Sequence, residues 1–574
     1  MQWLSFSPPT VIVILSPDLI GTKDLLFEAV DADAMLHFVR AATIDNRSES
    51  AIVHCLVPGL QRLPTWAIHK ETAMVKNRAR RLALAISLFV GIAGLSWLVA
   101  VPPQTAEAPR LLADRALSQT PMLDDLEELC DRIGGRPPGS EAAERAIEWG
   151  AEKFRAAGAD SVALESFTLP ASWQAVKAEA ECLSPAQFPI RLAAAPSSAS
   201  TPGGRALEAP LVYAGDGTSQ DFARLGDKAR GAILLVQSPE MKSVEDLFGE
   251  YARNAPLLDA ARKAGVAALL IQSTRPRGLL YRHPMMLDGS IAPMPTAVVA
   301  REHAARLARL AEKGEVRIRL TLANQIGGPQ EANNVVAEIR GSEKPEEFVV
   351  LGAHLDAWDL GTGAEDNGVN CAMVIDVARG IKQLGLVPRR TIRFVLFNGE
   401  EMGMWGSAGY VKRHAAELDR TVAMVTFDMG SGHTSGFYLN GREDLDGPVK
   451  RALAAAPGLP PMGNSREALD GTDNFDFLLS GVPNLVAMQD WAPYLPEYHA
   501  ASDVFERVDQ HEAKVNAAIA AALVWGLANM PQRPARRQSR AEVEELLRST
   551  RLDEQMKAFG QWASWTSGER GASR

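Results

Sequence analysis

Three hydrophobic runs constrain the fold of this chain more than any other feature of its sequence. They read FVVLGA at residues 348–353, TIRFVLF at 391–397 and TVAMVTF at 421–427. Runs without regular polar alternation are typical of parallel strands that are covered on both faces. The sequence therefore predicts an α/β fold with a mixed, mainly parallel central sheet flanked by helices, to which residues 334–340 add a strand.

Six ionisable side chains lie in the loops that follow or adjoin these strands. They are His354, Asp366, Glu400, Glu401, Asp428 and His499. Because the sites of open α/β sheets lie at the carboxyl ends of the strands, we expect these side chains to converge. Two imidazoles and four carboxylates suit a pair of divalent metal ions that share one carboxylate. The pattern indicates a hydrolase with two zinc ions, or with other divalent metals in their place.

The consecutive glutamates Glu400 and Glu401 suit two different tasks at such a site. A catalytic zinc site keeps one position for water, and a nearby carboxylate that binds no metal must accept the proton of that water. Adjacent residues at a strand end point in different directions, so one glutamate can bind metal while the other acts as base. Asp356 is predicted to accept a hydrogen bond from the His354 imidazole and to set its tautomer.

Other residues are assigned by their place beside this set. Gly361, Gly363 and Gly368 are expected to give the tight backbone that returns Asp366 to the metals. Residues 471–477 (GTDNFDF) and Tyr498 are expected to line the substrate site. Five further histidines are interpreted as surface residues, one of them at the rim of the site: His283, His303, His414, His511 and, at the rim, His433.

Size, charge and cysteine content narrow the class of protein. A chain of 574 residues is too long for one hydrophobic core, so at least two domains are expected. A net charge of -10 argues against a nucleic-acid partner, because no basic surface is available to neutralise phosphates. The four cysteines lack CxxC spacing and are interpreted as buried free thiols, with a disulfide between Cys130 and Cys182 as the alternative.

The amino-terminal region carries a candidate membrane segment. Residues 82–101 contain no charge and follow the basic cluster at 76–81. At about 1.5 Å rise per residue this stretch spans the roughly 30 Å hydrocarbon core of a bilayer. We expect a single uncleaved anchor with the catalytic part exported, and a cleaved signal is the alternative. Residues 1–73 are interpreted as an upstream extension without a function.

The rest of the chain divides by changes in composition. A Ser/Gly/Pro-rich segment near residues 195–210 separates a first helix-rich part from a run of short strands that returns to the main sheet near residue 326. The tail is predicted to form one amphipathic helix that packs on the domain or on a second subunit of a homodimer. The predicted segments are an anchor at 74–101, a linker at 102–115, the main domain at 116–200 and 326–535, a smaller β-rich α/β insert at 201–325 and a tail at 536–574.

The motifs resemble those of the two-zinc exopeptidase family, which includes bacterial leucyl aminopeptidases, glutamate carboxypeptidase and the carboxypeptidase Q group. The resemblance covers about residues 116–530 and is strongest in GAHLDAWDLGTGAEDNG. It extends to IGGRPPGS, FNGEEMGMWGS, GTDNFDFLLSGVP and YHAASD. It implies a phosphorylase/hydrolase-like fold, peptide substrates and an insert similar to a protease-associated domain.

The resemblance also implies a role for each site residue. Asp366 would bridge two zinc ions, with His354 and Asp428 completing one site and Glu401 and His499 completing the other. Glu400 would be the general base. Asn367 stands where many relatives have a second aspartate after the bridging one, and the sequence around Asp428 departs from the family's usual context.

Two other functions are compatible with a fold of this kind. One is a binding protein that has lost catalysis, and the other is an aminoacyl cyclase with a single zinc ion. The intact set of ligands argues against the first. The paired glutamates and the second histidine favour two metals over one.

Overall fold

A computed structural model of the protein describes residues 107–571. The predicted extension at 1–73 and the predicted anchor at 74–101 lie outside these residues, as does Cys55. No helix between residues 107 and 571 combines the length and the apolar character that a membrane crossing requires.

The strands of this region form two separate sheets. They are β1 (Ser161–Leu169), β2 (Ser172–Ser184), β3 (Phe188–Ile190), β4 (Leu192–Ala194), β5 (Leu207–Tyr213), β6 (Ile233–Val236), β7 (Ala268–Gln272), β8 (Thr296–Val299), β9 (Val316–Gly327), β10 (Gln330–Ile339), β11 (Lys344–His354), β12 (Arg390–Phe397), β13 (Thr421–Thr426), β14 (Thr434–Tyr438) and β15 (Asn484–Gln489).

The α-helices cover both sheets and form the carboxyl-terminal tail. They are α1 (Ala108–Leu117), α2 (Met122–Glu128), α3 (Glu141–Ala157), α4 (Ser219–Leu225), α5 (Val244–Ala264), α6 (Arg301–Ala311), α7 (Val369–Gln383), α8 (Trp405–Arg413), α9 (Asp446–Ala454), α10 (Asn474–Leu479), α11 (Trp491–Tyr494), α12 (Gln510–Asn529), α13 (Arg540–Ser549), α14 (Leu552–Ala558) and α15 (Trp562–Ser567).

The central sheet has seven strands in the order β1-β10-β12-β11-β13-β15-β14. The three hydrophobic runs form its middle, where β12, β11, β13 and β15 are parallel. The strands β1, β10 and β14 pair antiparallel at the two edges. The mixed α/β class is therefore confirmed, but antiparallel pairs are as many as parallel ones. The edge strand β1 is largely exposed, and antiparallel strands tolerate a solvated face better than parallel strands do.

Two layers of helix enclose the parallel strands. The main core lies between the sheet and helices that include α1, α3, α7 and the alanine-rich α12. A smaller cluster covers the opposite face with residues of α8 and α10. The helix α3 begins after Ser140, whose side chain accepts a hydrogen bond from the amide of Ala143, as expected of an N-cap. The parallel strands are thus buried on both faces, and their carboxyl ends open into loops.

The second sheet has eight strands in the order β3-β2-β9-β5-β6-β7-β8-β4. Its strands β5 to β8 are parallel, and the others pair antiparallel. Two hydrophobic clusters pack on it, and one of them also includes Trp358 and Met402 from loops that follow strands of the central sheet. The sheet takes in β2, which precedes residue 201, where the sequence pattern placed the start of the insert. The division of the chain into domains stays a prediction.

The tail differs from the single amphipathic helix that the sequence predicts. It forms three short helices, α13, α14 and α15, because Arg551 adopts a positive φ of 62° between the first two. Apolar residues of all three pack against Met404 and the α10 helix of the main domain. The tail is therefore part of the main domain's packing.

The described cysteines are buried free thiols, in agreement with the sequence analysis. Cys130, Cys182 and Cys371 form no disulfide. The Cys371 thiol donates to the backbone carbonyl of His354 at 2.8 Å. This contact lies directly beneath the end of β11.

Replacing Leu547 by alanine tests whether the tail is integral to the fold. Leu547 is fully buried against the main domain, so the variant should lose about 2–5 kcal/mol of unfolding free energy. Urea denaturation measures this loss. The matched control is Glu545→Ala, an exposed position on the same helix. Equal stability of the two variants would mean that the tail does not contribute to the folded domain.

Candidate metal centre

The six predicted side chains come from loops at one edge of the central sheet. His354 ends β11, Glu400 and Glu401 follow β12, and Asp428 follows β13. Asp366 lies in the turn before α7, and His499 lies in the loop before α12. All are buried except Glu400, which is half-buried. The tertiary structure therefore brings together residues that are up to 145 positions apart in the chain.

One imidazole faces two carboxylates. The Nε2 atom of His354 lies 3.1 Å from Oδ1 of Asp366 and 2.9 Å from Oδ1 of Asp428. These three side chains are the group that the family resemblance assigns to one metal.

The second imidazole faces the other side of the same aspartate. The Nε2 atom of His499 lies 2.7 Å from Oε2 of Glu401 and 3.4 Å from Oδ2 of Asp366. The Asp366 carboxylate therefore lies between the two histidines, with one oxygen toward each. This is the position that a bridging ligand requires.

The donor atoms suit zinc in chemistry as well as in position. Three carboxylate oxygens are buried without a hydrogen bond: Oδ2 of Asp366, Oε1 of Glu401 and Oδ1 of Asp428. Unpaired buried carboxylates are costly unless a cation or a donor compensates them. Imidazole nitrogen and carboxylate oxygen are ligands that zinc prefers. The residues present therefore fit a metal centre.

The electrostatics of the site also favour a bound cation. Burial raises the pKa of Glu401 well above its usual value, and the Asp366 carboxylate adds to this shift. Burial lowers the pKa of His499 to about 4, which keeps the imidazole in the neutral form that binds metals. Burial also acts to lower the pKa of His354, but the adjacent Asp428 and Asp366 outweigh it and raise the pKa.

Backbone carbonyl groups orient both imidazoles. The Nδ1 atom of His354 lies 2.9 Å from the carbonyl oxygen of Asp356, and Nδ1 of His499 lies 2.8 Å from that of Arg282. Each contact leaves Nε2 free to face the carboxylates. Such contacts set the tautomer and the ring orientation of metal-binding histidines.

The Asp356 carboxylate has a different role from the predicted one. Its Oδ1 atom is 3.9 Å from Nδ1 of His354, too far for a hydrogen bond. The carboxylate instead accepts hydrogen bonds from the backbone amides of Gly399, Glu400 and Glu401, at 2.8, 3.3 and 3.1 Å. Three converging N–H groups outcompete one ring nitrogen, so Asp356 positions the turn that carries the two glutamates.

The turn that carries Asp366 depends on residues that the sequence analysis did not assign. The Asp503 carboxylate accepts hydrogen bonds from the amides of Glu365 at 2.7 Å and Asp366 at 3.2 Å. Asn367 donates to the carbonyl of Phe427 at 2.9 Å, and its peptide bond with Asp366 is cis. The aspartate of the YHAASD motif and the asparagine therefore tie Asp366 to its neighbours.

A buried arginine holds the glycine-containing loop before this turn. Arg136 donates to the carbonyls of Thr362 at 2.7 Å and Gly363 at 2.9 Å. A Cβ atom on Gly361 would lie 2.5 Å from the carbonyl oxygen of Asp503, and Gly363 has a φ of +64°. Gly361 and Gly363 therefore lie where a side chain would clash or strain the backbone, in agreement with the predicted role of these glycines. Arg136 belongs to the IGGRPPGS motif, which was the one signal for it in the sequence.

The site opens into a cavity with walls from three parts of the chain. Of the residues expected to line the substrate site, Gly471, Thr472 and Tyr498 do so, whereas residues 473–477 are not part of the lining. The helix α5 of the second sheet contributes an apolar and aromatic wall, and the tail contributes a further part. The residues from these two parts are Leu247, Phe248, Tyr251, Phe559 and Gln561.

The remaining histidines differ in their surroundings. The prediction of a surface position is wrong for His283, which is 3% exposed and lies 3.7 Å from the Tyr251 ring between ring centroids. His303 and His414 are half-buried, whereas His433 and His511 are exposed. The sequence around His283 gave no signal of burial, because its cover comes from other segments.

The chain is similar to known proteins in sequence and in fold. Residues 334–524 match the family model described as Peptidase family M28. The chain is 28% identical over 409 residues to carboxypeptidase Q of Mus musculus, covering 70% of this chain and 85% of the relative. It is 25% identical over 445 residues to aminopeptidase YwaD of Bacillus subtilis (strain 168), covering 73% and 88%.

A solved structure agrees with these sequence relatives. A peptidase M28 precursor from Shewanella amazonensis SB2B has 29% sequence identity and a TM-score of 0.69, covering 76% of this chain and 99% of that one. The matches confirm the predicted fold class and the predicted family. The likeness of the insert to a protease-associated domain stays a prediction.

Replacing Asp503 by alanine should weaken zinc binding without removing any metal ligand. The amides of Glu365 and Asp366 would lose their acceptor, so the zinc dissociation constant should rise by about 10- to 100-fold. Competition with a chromogenic chelator measures it. Glu506→Ala, at an exposed position in the next turn, should leave the constant unchanged. An unchanged constant in the Asp503 variant would contradict this role.

Proposed function

We propose that this metallopeptidase, which is similar to peptidase family M28, acts as a binuclear zinc exopeptidase. The proposal depends above all on the Asp366 carboxylate, which lies between the imidazoles of His354 and His499. One carboxylate shared by two histidine–carboxylate groups is the arrangement expected for a pair of metal ions.

The proposed ligands divide into two groups around Asp366. His354 and Asp428 would hold one zinc ion, and Glu401 and His499 would hold the other. When bound, the metals supply Lewis-acid polarisation of the substrate carbonyl and lower the pKa of the attacking water. The protein supplies ligands whose orientation is set by the carbonyls of Asp356 and Arg282.

Glu400 is the proposed general base. It lines the cavity, and its backbone amide is held by the Asp356 carboxylate. Its carboxylate would accept a proton from the attacking water as oxygen bonds to the carbonyl carbon. It would then donate this proton to the leaving amine as the C–N bond breaks. The same side chain thus serves as base and then as acid.

The walls of the cavity favour substrates that present a chain end. The α5 helix and the tail meet across it, with the rings of Phe248 and Phe559 stacked at 6.5 Å between centroids. A closed wall beside the metal centre leaves little space for a polypeptide that continues in both directions. The names of the relatives, a carboxypeptidase and an aminopeptidase, agree with hydrolysis near a terminus.

The proposed place of action is outside the cytoplasm. This proposal depends on the charge-free stretch at residues 82–101 and the basic residues before it. Fractionation of cells that produce the full chain tests it. Activity confined to the cytoplasmic fraction would contradict an exported enzyme.

Replacing Glu400 by glutamine should separate catalysis from metal binding. Turnover of aminoacyl-arylamides and dipeptides should fall by about 10²-fold or more, because the amide cannot accept the proton of water. Zinc content, measured by mass spectrometry of the purified protein, should stay at the wild-type level. The control is Glu312→Gln, at an exposed position. Loss of zinc in the Glu400 variant would mean that Glu400 is a ligand.

Replacing Asp366 by alanine should disrupt both metal positions together. The wild type should hold two zinc ions per chain after gel filtration, and the variant should hold fewer than one, because each ion would lose a ligand. Asp131→Ala, at an exposed position, should retain both ions. Two zinc ions in the Asp366 variant would exclude a bridging role.

A further inference from the structure

A second polar group lines the same cavity and takes no part in the metal centre. Asp470 precedes the GTDNFDF motif, and Gln561 belongs to the tail between α14 and α15. Both side chains are 4% exposed. The Gln561 Nε2 atom donates to Oδ1 of Asp470 at 3.3 Å.

This contact leaves two acceptors without a partner. The Oδ2 atom of Asp470 and the Oε1 atom of Gln561 are buried without a hydrogen bond. The bond to Asp470 sets the orientation of the Gln561 amide, so its oxygen is the atom left over. Buried acceptors without donors are costly, and a ligand with N–H groups would satisfy both.

The Asp470 carboxylate lacks a cationic partner among the described residues. Arg570 is the nearby guanidinium, but it is bonded to Asp476 at 3.0 Å and to the carbonyls of Gly403 and Met404. Burial raises the pKa of Asp470 to about 7, as expected of a carboxylate that lacks a counterion. A positively charged ligand group would hold it ionised.

The rest of the cavity lining points to the same kind of ligand. None of the described residues that line it is a lysine or an arginine. The other acidic lining residues are the proposed metal ligands and the proposed base, so Asp470 is the lining carboxylate that remains for a ligand. A site for the carboxylate end of a peptide would need a cationic partner. A site for an ammonium group needs acceptors, and aromatic rings such as Phe559 and Tyr251 add favourable cation–π contacts.

We propose that Asp470 and Gln561 form a subsite that binds a primary ammonium group of the substrate. This proposal rests on the exopeptidase function proposed above and adds to it the charge of the group recognised. The ammonium group comes either from the α-amine of an amino-terminal residue or from the ε-amine of a lysine side chain. The tail thereby takes part in specificity as well as in stability.

Three arylamide substrates distinguish the sources of the amine. Leucyl arylamide carries only an α-amine, Nα-acetyl-lysyl arylamide carries only an ε-amine, and 4-methylpentanoyl arylamide carries neither. If the α-amine is bound, the wild type should prefer the first over the third by about 10- to 100-fold in kcat/KM, the usual value of a hydrogen bond to a charged group. If the ε-amine is bound, the second substrate should have this advantage.

Asp470→Asn should abolish that preference, because kcat/KM should fall far more for the substrate that carries the bound amine than for the uncharged substrate. Gln561→Leu should reduce the preference by a smaller factor. The matched control is Asp288→Asn, which removes a negative charge at an exposed position next to the lining residue Leu287. A uniform loss on all substrates, or no loss, would overturn the proposal.

A binding measurement keeps the test independent of turnover. Calorimetry with the zinc-loaded Glu400→Gln protein compares 3-methylbutylamine with 3-methylbutanol. Adding Asp470→Asn should weaken the binding of the amine by about tenfold or more and leave the affinity for the alcohol unchanged. An equal loss of affinity for the amine and the alcohol would overturn the proposed subsite. Wild-type protein that cleaves none of the substrates would instead overturn the proposed exopeptidase function. Circular dichroism of each variant verifies that it is folded.

Discussion

Buried negative charge at the carboxyl edge of the central sheet is the constraint on which the remaining structure depends. Asp366, Glu401 and Asp428 are all buried, and each has an oxygen without a hydrogen bond. Such a group is tolerable in a folded protein when a cation compensates it. The two imidazoles, one on each side of Asp366, supply nitrogen ligands but no permanent positive charge. The fold therefore carries an electrostatic cost that metal binding offsets.

The surroundings of the centre are arranged to hold those carboxylates in place. Asp356 binds the amides of the glutamate turn, and Asp503 binds the amides of the Asp366 turn. Arg136 binds the carbonyls of the loop between them. Each of these groups uses a buried side chain to hold the backbone rather than to contact a substrate. The geometry of the candidate metal centre is thus set by backbone positions that buried polar side chains hold in place.

Segments far from the catalytic motifs complete the site. The carbonyl of Arg282, in the segment between β7 and β8, orients His499, and Tyr251 bonds the hydroxyl of Tyr498 at 2.8 Å. The tail adds Phe559 and Gln561 to the same cavity. The second sheet and the tail therefore shape the pocket as well as cover it, which links substrate selection to how these parts pack.

The sequence by itself determined the buried strands, the six ionisable residues at their ends and the order in which they occur. These features are local, since hydrophobic runs and the polar residues that follow them can be recognised within a short stretch of sequence. It could not determine the burial of His283, the partner of Asp356 or the break in the tail at Arg551. Those outcomes depend on which distant groups compete for a side chain or cover it. Only the tertiary structure decided them, because contacts such as Gln561 with Asp470 join residues 91 positions apart in the chain, a pairing that no local pattern specifies.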